Sequence, residues 1–276
     1  MIGNLIRDVQ MSSSTSQLIQ TGLKLHQAGR LQEAESYYQA VLREQPENSD
    51  AWHLLGVIAQ QTGKDEAAVA FIQKAIEIRP EVPDYYVTCG EAYRVMRDYD
   101  SATHCYEKAL SLDPGFAGAH LNLGNTLKET GRVLEAIDHY EKAADLQPDF
   151  AIAHNNLGIV LKDIGRTEDA ISRFERALAI APGYFEAHNN LGNALLTLGR
   201  VDDAISRFEQ AIAIQPKYAE AHSNLGNAFR QSGRLEEAIR QYKEAVDCKP
   251  GFAMGHYNLG IMLEETGHAE EAIASY

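Results

Sequence analysis

Basic residues are in short supply. The chain sets 25 Lys and Arg against 39 Asp and Glu, a formal net charge of −14 over 276 residues. Such a chain repels a phosphate backbone unless its cations gather into one stripe, and no stripe is present, so nucleic acid is excluded as a partner. Cysteine is equally scarce. Cys89, Cys105 and Cys248 are odd in number and share no CxxC spacing, so they read as free thiols in a reducing compartment. No apolar run approaches the roughly 18 residues that a membrane span needs. The opening MIGNLIRDVQMSSSTS lacks the basic start and apolar stretch of a signal peptide. No membrane association and a cytoplasmic location are expected. A Gly-rich phosphate loop, an HExxH and a nucleophile elbow are all missing as well. The acids and histidines recur at a fixed interval, whereas an active site needs one asymmetric cluster. These residues are expected to be non-catalytic and to need no cofactor.

What is present is a period. Seven of the 8 prolines fall at Pro46, Pro80, Pro114, Pro148, Pro182, Pro216 and Pro250, each 34 after the last. Glycines from Gly22 to Gly260 and alanines from Ala34 to Ala272 keep the same step. Each unit reads as two helices. The first carries apolar residues at helical spacing (Ala187, Leu191, Ala194, Leu195 and Leu198) and stops at a glycine such as Gly199, where a left-handed residue ends a helix without a Cβ clash. The second opens with acids, such as Asp202 and Asp203, and closes before the phased proline, which cannot continue it. The third unit departs by placing Arg97 where the stop glycine belongs.

With Trp52, Leu55, Gly56, Ala59, Ala68, Ala75 and Pro80 at these offsets, and Leu191, Gly192, Leu195, Ala204, Phe208, Ala211 and Pro216 again, the chain resembles the tetratricopeptide repeat. The resemblance implies an all-α, right-handed superhelical solenoid of stacked helix–turn–helix repeats. The units are 15–48, 49–82, 83–116, 117–150, 151–184, 185–218 and 219–252, with 253–276 incomplete. Residues 1–14 precede them as a tail or short amphipathic helix, with Ile2, Leu5, Ile6 and Val9 on one face. The array stops inside its second helix without a polar cap, which reads as a chain that continues or a fragment.

Within each unit one polar slot recurs. With Leu191 at zero and about 100° per residue, Asn190 points roughly 100° to one side and Asn193 about 160° away, both off the packing face. The first column is Asn122, Asn156, Asn190, Asn224 and Asn258, partly doubled by Asn125, Asn193 and Asn227. In repeats of this kind the first helices line a concave groove, and a column of carboxamides there pairs with the backbone of an extended peptide. The alternative is that these residues bridge neighbouring helices. A protein or extended peptide is therefore the expected partner. His120, His154, His188, His222 and His256 recur too, but equivalent positions on stacked helices stand about 10 Å apart, too far to share a metal, so no metal site is expected. They occupy the slot of Trp52 and Tyr86 and read as packing residues.

The front units differ. Ile19, Leu23, Leu54, Val57 and Val87 stand where later units hold Asn or Ser, which predicts an apolar patch open to a partner or to self-association, as is the uncapped last repeat. The in-register HxNLG also resembles the repeat arm of the O-linked N-acetylglucosamine transferases and their bacterial relatives. That resemblance implies, as an alternative, a substrate-selecting arm for a catalytic domain beyond residue 276. Gln20, Leu54 and Thr88 break the column in the first three units. A carboxylate clamp is a poor fit, because Leu196 and Glu264 interrupt the cations Lys128, Lys162 and Arg230.

Overall fold

The computed structural model describes residues 13–275, so the expected amphipathic segment at Ile2–Val9 lies outside the described residues. The chain divides into two compact units, Met1–Leu146 and Gln147–Tyr276. In the first, the helix pairs are α1 (Ser13–Gln27) with α2 (Leu31–Glu44), α3 (Ser49–Gln61) with α4 (Asp65–Ile78), α5 (Pro83–Val95) with α6 (Tyr99–Leu112), and α7 (Ala117–Glu129) with α8 (Val133–Leu146). In the second they are α9 (Ala151–Asp163) with α10 (Thr167–Ile180), α11 (Phe185–Thr197) with α12 (Val201–Ile214), α13 (Ala219–Gln231) with α14 (Leu235–Cys248), and α15 (Ala253–Glu265) with α16 (Ala269–Ser275). The fold is all-α, and helix–turn–helix repeats build it.

Inside each unit the second helix of a pair packs on the first helix of the next. The first helices also touch one another, α3 with α5 and α5 with α7, then α9 with α11, α11 with α13 and α13 with α15. Each unit therefore has one wall made of first helices alone.

Two local devices set this geometry. At the intra-pair turn, Gly199 has φ 74°. Its N–H bonds the Leu196 carbonyl while the Arg200 N–H bonds that of Leu195, closing the last turn of α11 on itself. Arg97 makes the same turn at φ 61°, with Arg97 bonded to Arg94 and Asp98 to Tyr93. A side chain at that φ costs roughly 1–2 kcal/mol. The other device is contact between the helices of a pair. A Cβ added to Gly192 would lie 2.5 Å from Phe208 Cε1, and one on Gly226 would lie 2.6 Å from Tyr242 Cε1. The rings of Tyr38, Tyr106, Tyr140, Phe174, Phe208 and Tyr242, 16 residues beyond each phased glycine, are fully buried. The phased alanines from Ala34 to Ala238 are also at 0% exposure, on the same close contact.

Gly192→Ala is expected to destabilise by about 1–3 kcal/mol, since a buried ring has nowhere to go. Arg97→Gly is expected to stabilise by up to about 1 kcal/mol, the relief of strain less the entropy of an added glycine. Urea midpoints at constant m-value check both.

Candidate functional site

The phased proline ends a helix and leaves its carbonyl without a helical partner. A ring six residues on supplies one each time. Trp52 Nε1 donates to the Pro46 carbonyl at 2.8 Å and Tyr86 Oη to that of Pro80 at 3.0 Å. The five histidines follow suit through Nε2, to Pro114 and Pro148 at 3.3 Å, Pro182 and Pro216 at 3.0 Å, and Pro250 at 2.9 Å. A carbonyl only accepts, so Nε2 carries the hydrogen in each. Burial lowers the proton affinity of His120 and His188, which keeps Nδ1 an acceptor. The histidine column holds the inter-repeat loops in place.

The asparagine column has a defined role too. Asn190 Nδ2 donates to Asn155 Oδ1 at 3.0 Å, Asn224 Nδ2 to Asn189 Oδ1 at 2.9 Å, and Asn258 Nδ2 to Ser223 Oγ at 3.3 Å. Each rung joins consecutive first helices across 35 residues. Asn155, Asn189 and Ser223 are buried, while Asn156, Asn190, Asn224 and Asn258 are half-buried. Asn155 Nδ2 donates in turn to Asn156 Oδ1 at 3.3 Å. In the first unit the same rung is His53 Nε2 to Thr88 Oγ1 at 2.8 Å, and Thr88 passes its own hydrogen to the Asp84 carbonyl. Asn122, with Val87 in the partner slot, turns instead to Glu91 Oε1 at 3.2 Å.

The rungs correct the front patch. Ile19 and Leu54 occupy the two rung offsets, and both lie in one buried cluster with Leu23, Leu55 and Ile58. Ile19, Leu23 and Leu54 are therefore core and not an open surface, while Val57 and Val87 are half-buried. Offsets of roughly 100° for Leu54 and about 160° for the others placed these residues off the intra-pair contact, but packing in the front cluster covers Ile19, Leu23 and Leu54.

The second asparagine column pairs within a repeat. Tyr140 Oη donates to Asn125 Oδ1, and Tyr242 Oη to Asn227 Oδ1, both at 2.8 Å. Asn193 faces the same slot, but the phased ring of its repeat is Phe208, which has no hydroxyl to offer. Buried rung partners Asn155, Asn189 and Ser223 escaped the sequence reading. The Asn-Asn dipeptides at 155–156 and 189–190 were the available signal, as was a ring donor six residues after every phased proline.

Elsewhere, Cys89 and Cys105 are buried free thiols, and the neighbouring Cys105 together with burial pushes the Cys89 thiol up. Among the described residues no three His, Cys, Asp or Glu converge as a metal set, and no helix is long and apolar enough to cross a membrane.

Sequence models described as "Tetratricopeptide repeat" match residues 25–87, 115–183, 149–217 and 189–252, and one described as "TPR repeat" matches 97–131. The chain belongs to the tetratricopeptide repeat family, a kind of scaffold typically used to bind proteins or peptides. No protein of curated function matches it. Among solved structures, the crystal structure of the APC/C hetero-tetramer Cut9–Hcn1 is similar at TM-score 0.74 and 20% identity, over 88% of this chain and 48% of that chain, and at that identity shows the fold alone. This chain thus spans about half the length of that one. MamA is similar at TM-score 0.56 and 30% identity, over 62% of this chain and 93% of that one. YrrB, described as a TPR protein with an unusual peptide-binding site, is similar at TM-score 0.56 and 27% identity, over 67% and 95%.

Burial holds the His53 imidazole down at about 4, against about 6.5 in an unfolded chain. Between those values the unfolded state binds more protons. The stability gained by burying this ring neutral is therefore complete above pH 6.5 and is lost as pH falls through 4, on the order of 3 kcal/mol in all. Melting temperature against pH is expected to fall across this window, and His53→Asn, which copies the side chain at Asn155 and Asn189, is expected to flatten it.

Proposed function

We propose that the wall of first helices in the second unit is a docking track for an extended polypeptide, held through its backbone. The observation that carries this reading is the orientation of the amides. Each rung uses one N–H of Asn190, Asn224 or Asn258, which fixes the carboxamide and leaves its Oδ1 and second N–H with capacity for a ligand. Asn156, Asn193 and Asn227 extend the surface, and Asn122 and Asn125 are the counterparts in the first unit. Neighbouring first helices stand about 8–10 Å apart and a strand rises about 3.3 Å per residue, so one rung meets every third residue of a peptide. Contacts worth about 0.5–1.5 kcal/mol each yield sequence-tolerant binding. The likeness to YrrB, whose description names a peptide-binding site, supports the reading. The same column underlies the resemblance to the glycosyltransferase arms. In a longer parent it would present polypeptide to a catalytic domain, and the intact mass of the native protein tests that version.

Peptides selected from a displayed random library against the 276-residue chain provide the assay. Asn193→Ala removes an amide that has no Tyr partner, so it is expected to weaken binding about 3- to 10-fold, one hydrogen bond, at unchanged melting temperature. Asn156→Ala with Asn190→Ala and Asn224→Ala is expected to lower both affinity and melting temperature. Loss of stability alone would leave these residues as inter-repeat bridges only.

A further inference from the structure

His120 differs from the other capped histidines in what its second nitrogen meets. The slot 19 residues on, in the second helix of the same pair, holds Arg173 after His154, Arg207 after His188, Gln241 after His222 and His139 after His120. Gln241 satisfies His222, with its Oε1/Nε2 end 2.8 Å from Nδ1, the amide turned to donate. His188 Nδ1 is buried without a hydrogen-bond partner. At His120 alone the slot brings a second imidazole. His120 Nδ1 and His139 Nδ1 lie 2.8 Å apart, with ring centroids at 5.1 Å and planes at 35°.

We propose that His120 and His139 form a two-histidine site for a divalent transition-metal ion that favours right-angled coordination, of the Ni²⁺ or Cu²⁺ class. Two nitrogens about 2 Å from a common ion stand about 2.8 Å apart when they subtend about 90°, the cis angle of square-planar or octahedral sites. A tetrahedral ion needs them about 3.3 Å apart. His120 is already held as a ligand should be. Its Nε2–H is committed to the Pro114 carbonyl, an outer partner that fixes the tautomer and leaves the lone pair on Nδ1. In the metal-free protein His139 Nδ1–H donates to that lone pair. On binding, the His139 hydrogen leaves Nδ1 for water, a hydrogen from water occupies Nε2, and the rings turn so that both Nδ1 lone pairs meet at the ion. Both rings stay neutral and no net proton is released.

His120 is 6% exposed and His139 is half-buried, so the pair opens to solvent on the α8 side. No third His, Cys, Asp or Glu converges on the pair among the described residues, so water completes the coordination shell. Burial first, then the neighbouring His120 and Lys142, hold the His139 imidazole down at about 4, with Asp138 and Glu135 acting the other way.

The test is calorimetric titration of Ni²⁺ into the 276-residue chain at pH 7.5 in a non-coordinating buffer. One equivalent is expected to bind. His139→Gln, which copies the His222–Gln241 pair, and His120→Tyr, which copies the Tyr86 cap, are each expected to weaken it at least tenfold. Both borrow side chains the chain already uses at these offsets, and metal-free melting curves confirm that each variant is folded. No Ni²⁺ binding by the native sequence overturns the site. So does equal affinity in either folded variant, which would place the ion on another group such as Cys248 or the N-terminus.

Discussion

The contact on which the structure depends is an absent Cβ. At Gly22, Gly90, Gly124, Gly158, Gly192 and Gly226 the missing Cβ lets the helix approach until a ring from the partner helix occupies the space where a side chain would start. With Phe174 Cε1 2.6 Å from the ideal Cβ position of Gly158, and Tyr140 Cε1 2.8 Å from that of Gly124, even one added carbon has no room. Interiors packed to crystal-like density transmit such a demand rather than absorb it. The second pair varies the solution. Ile72 fills the place of the ring against Gly56, with Cγ1 2.4 Å from the ideal Cβ, so the constraint is proximity and aromaticity is one way to meet it.

Polar chemistry follows from that packing. At Tyr140 and Tyr242 the ring hydroxyl emerges beside the next residue of the first helix, and Asn125 and Asn227 receive it, while the Tyr38 hydroxyl turns to His26. Where the ring is phenylalanine, the carboxamide at Asn193 has no such donor. A hydroxyl on the buried ring thus ties the amide above it to the fold at Asn125 and Asn227. The prolyl caps work in the same way. A loop whose helix must end leaves a carbonyl, and any ring with a hydrogen to give (indole, phenol or imidazole) can answer it. His120, His188 and His222 cap their loops alike, and only the identity of the residue 19 further on separates them chemically.

The period, the helix pairs and the stop at Gly199 were legible because each is a local rule repeated in phase. Arg97 was legible as an exception for the same reason, and the turn forms there regardless, since tertiary packing outweighs the strain of one residue. The side on which Ile19 and Leu54 lie was not legible. A single helix wheel knows the face toward its own pair but not the neighbour one repeat away, and it is that neighbour which buries them. The rung partners Asn155 and Asn189 were hidden for the converse reason. They are polar residues facing the interior, a placement that makes sense only once their acceptors are seen to be filled by Asn190 and Asn224.

The rungs also show that stability alone does not dictate the chemistry of the wall. One geometry accommodates Ile19 with Leu54, His53 with Thr88, and Asn155 with Asn190. An apolar rung gains from burial at roughly 25 cal/mol per Å². An amide rung nets only about 1 kcal/mol and leaves a penalty if either partner is lost. The second unit nevertheless has the amide form in consecutive repeats, Asn155 with Asn190 and Asn189 with Asn224, where the first unit begins with the apolar form at Ile19 and Leu54. A carboxamide pair offers what two aliphatic side chains cannot, an oriented acceptor and donor on the outer edge of a rung that is itself fixed. Where local rules for a core are set aside in a repeated manner, the gain is to be sought at the surface those groups present, which here is the wall of first helices.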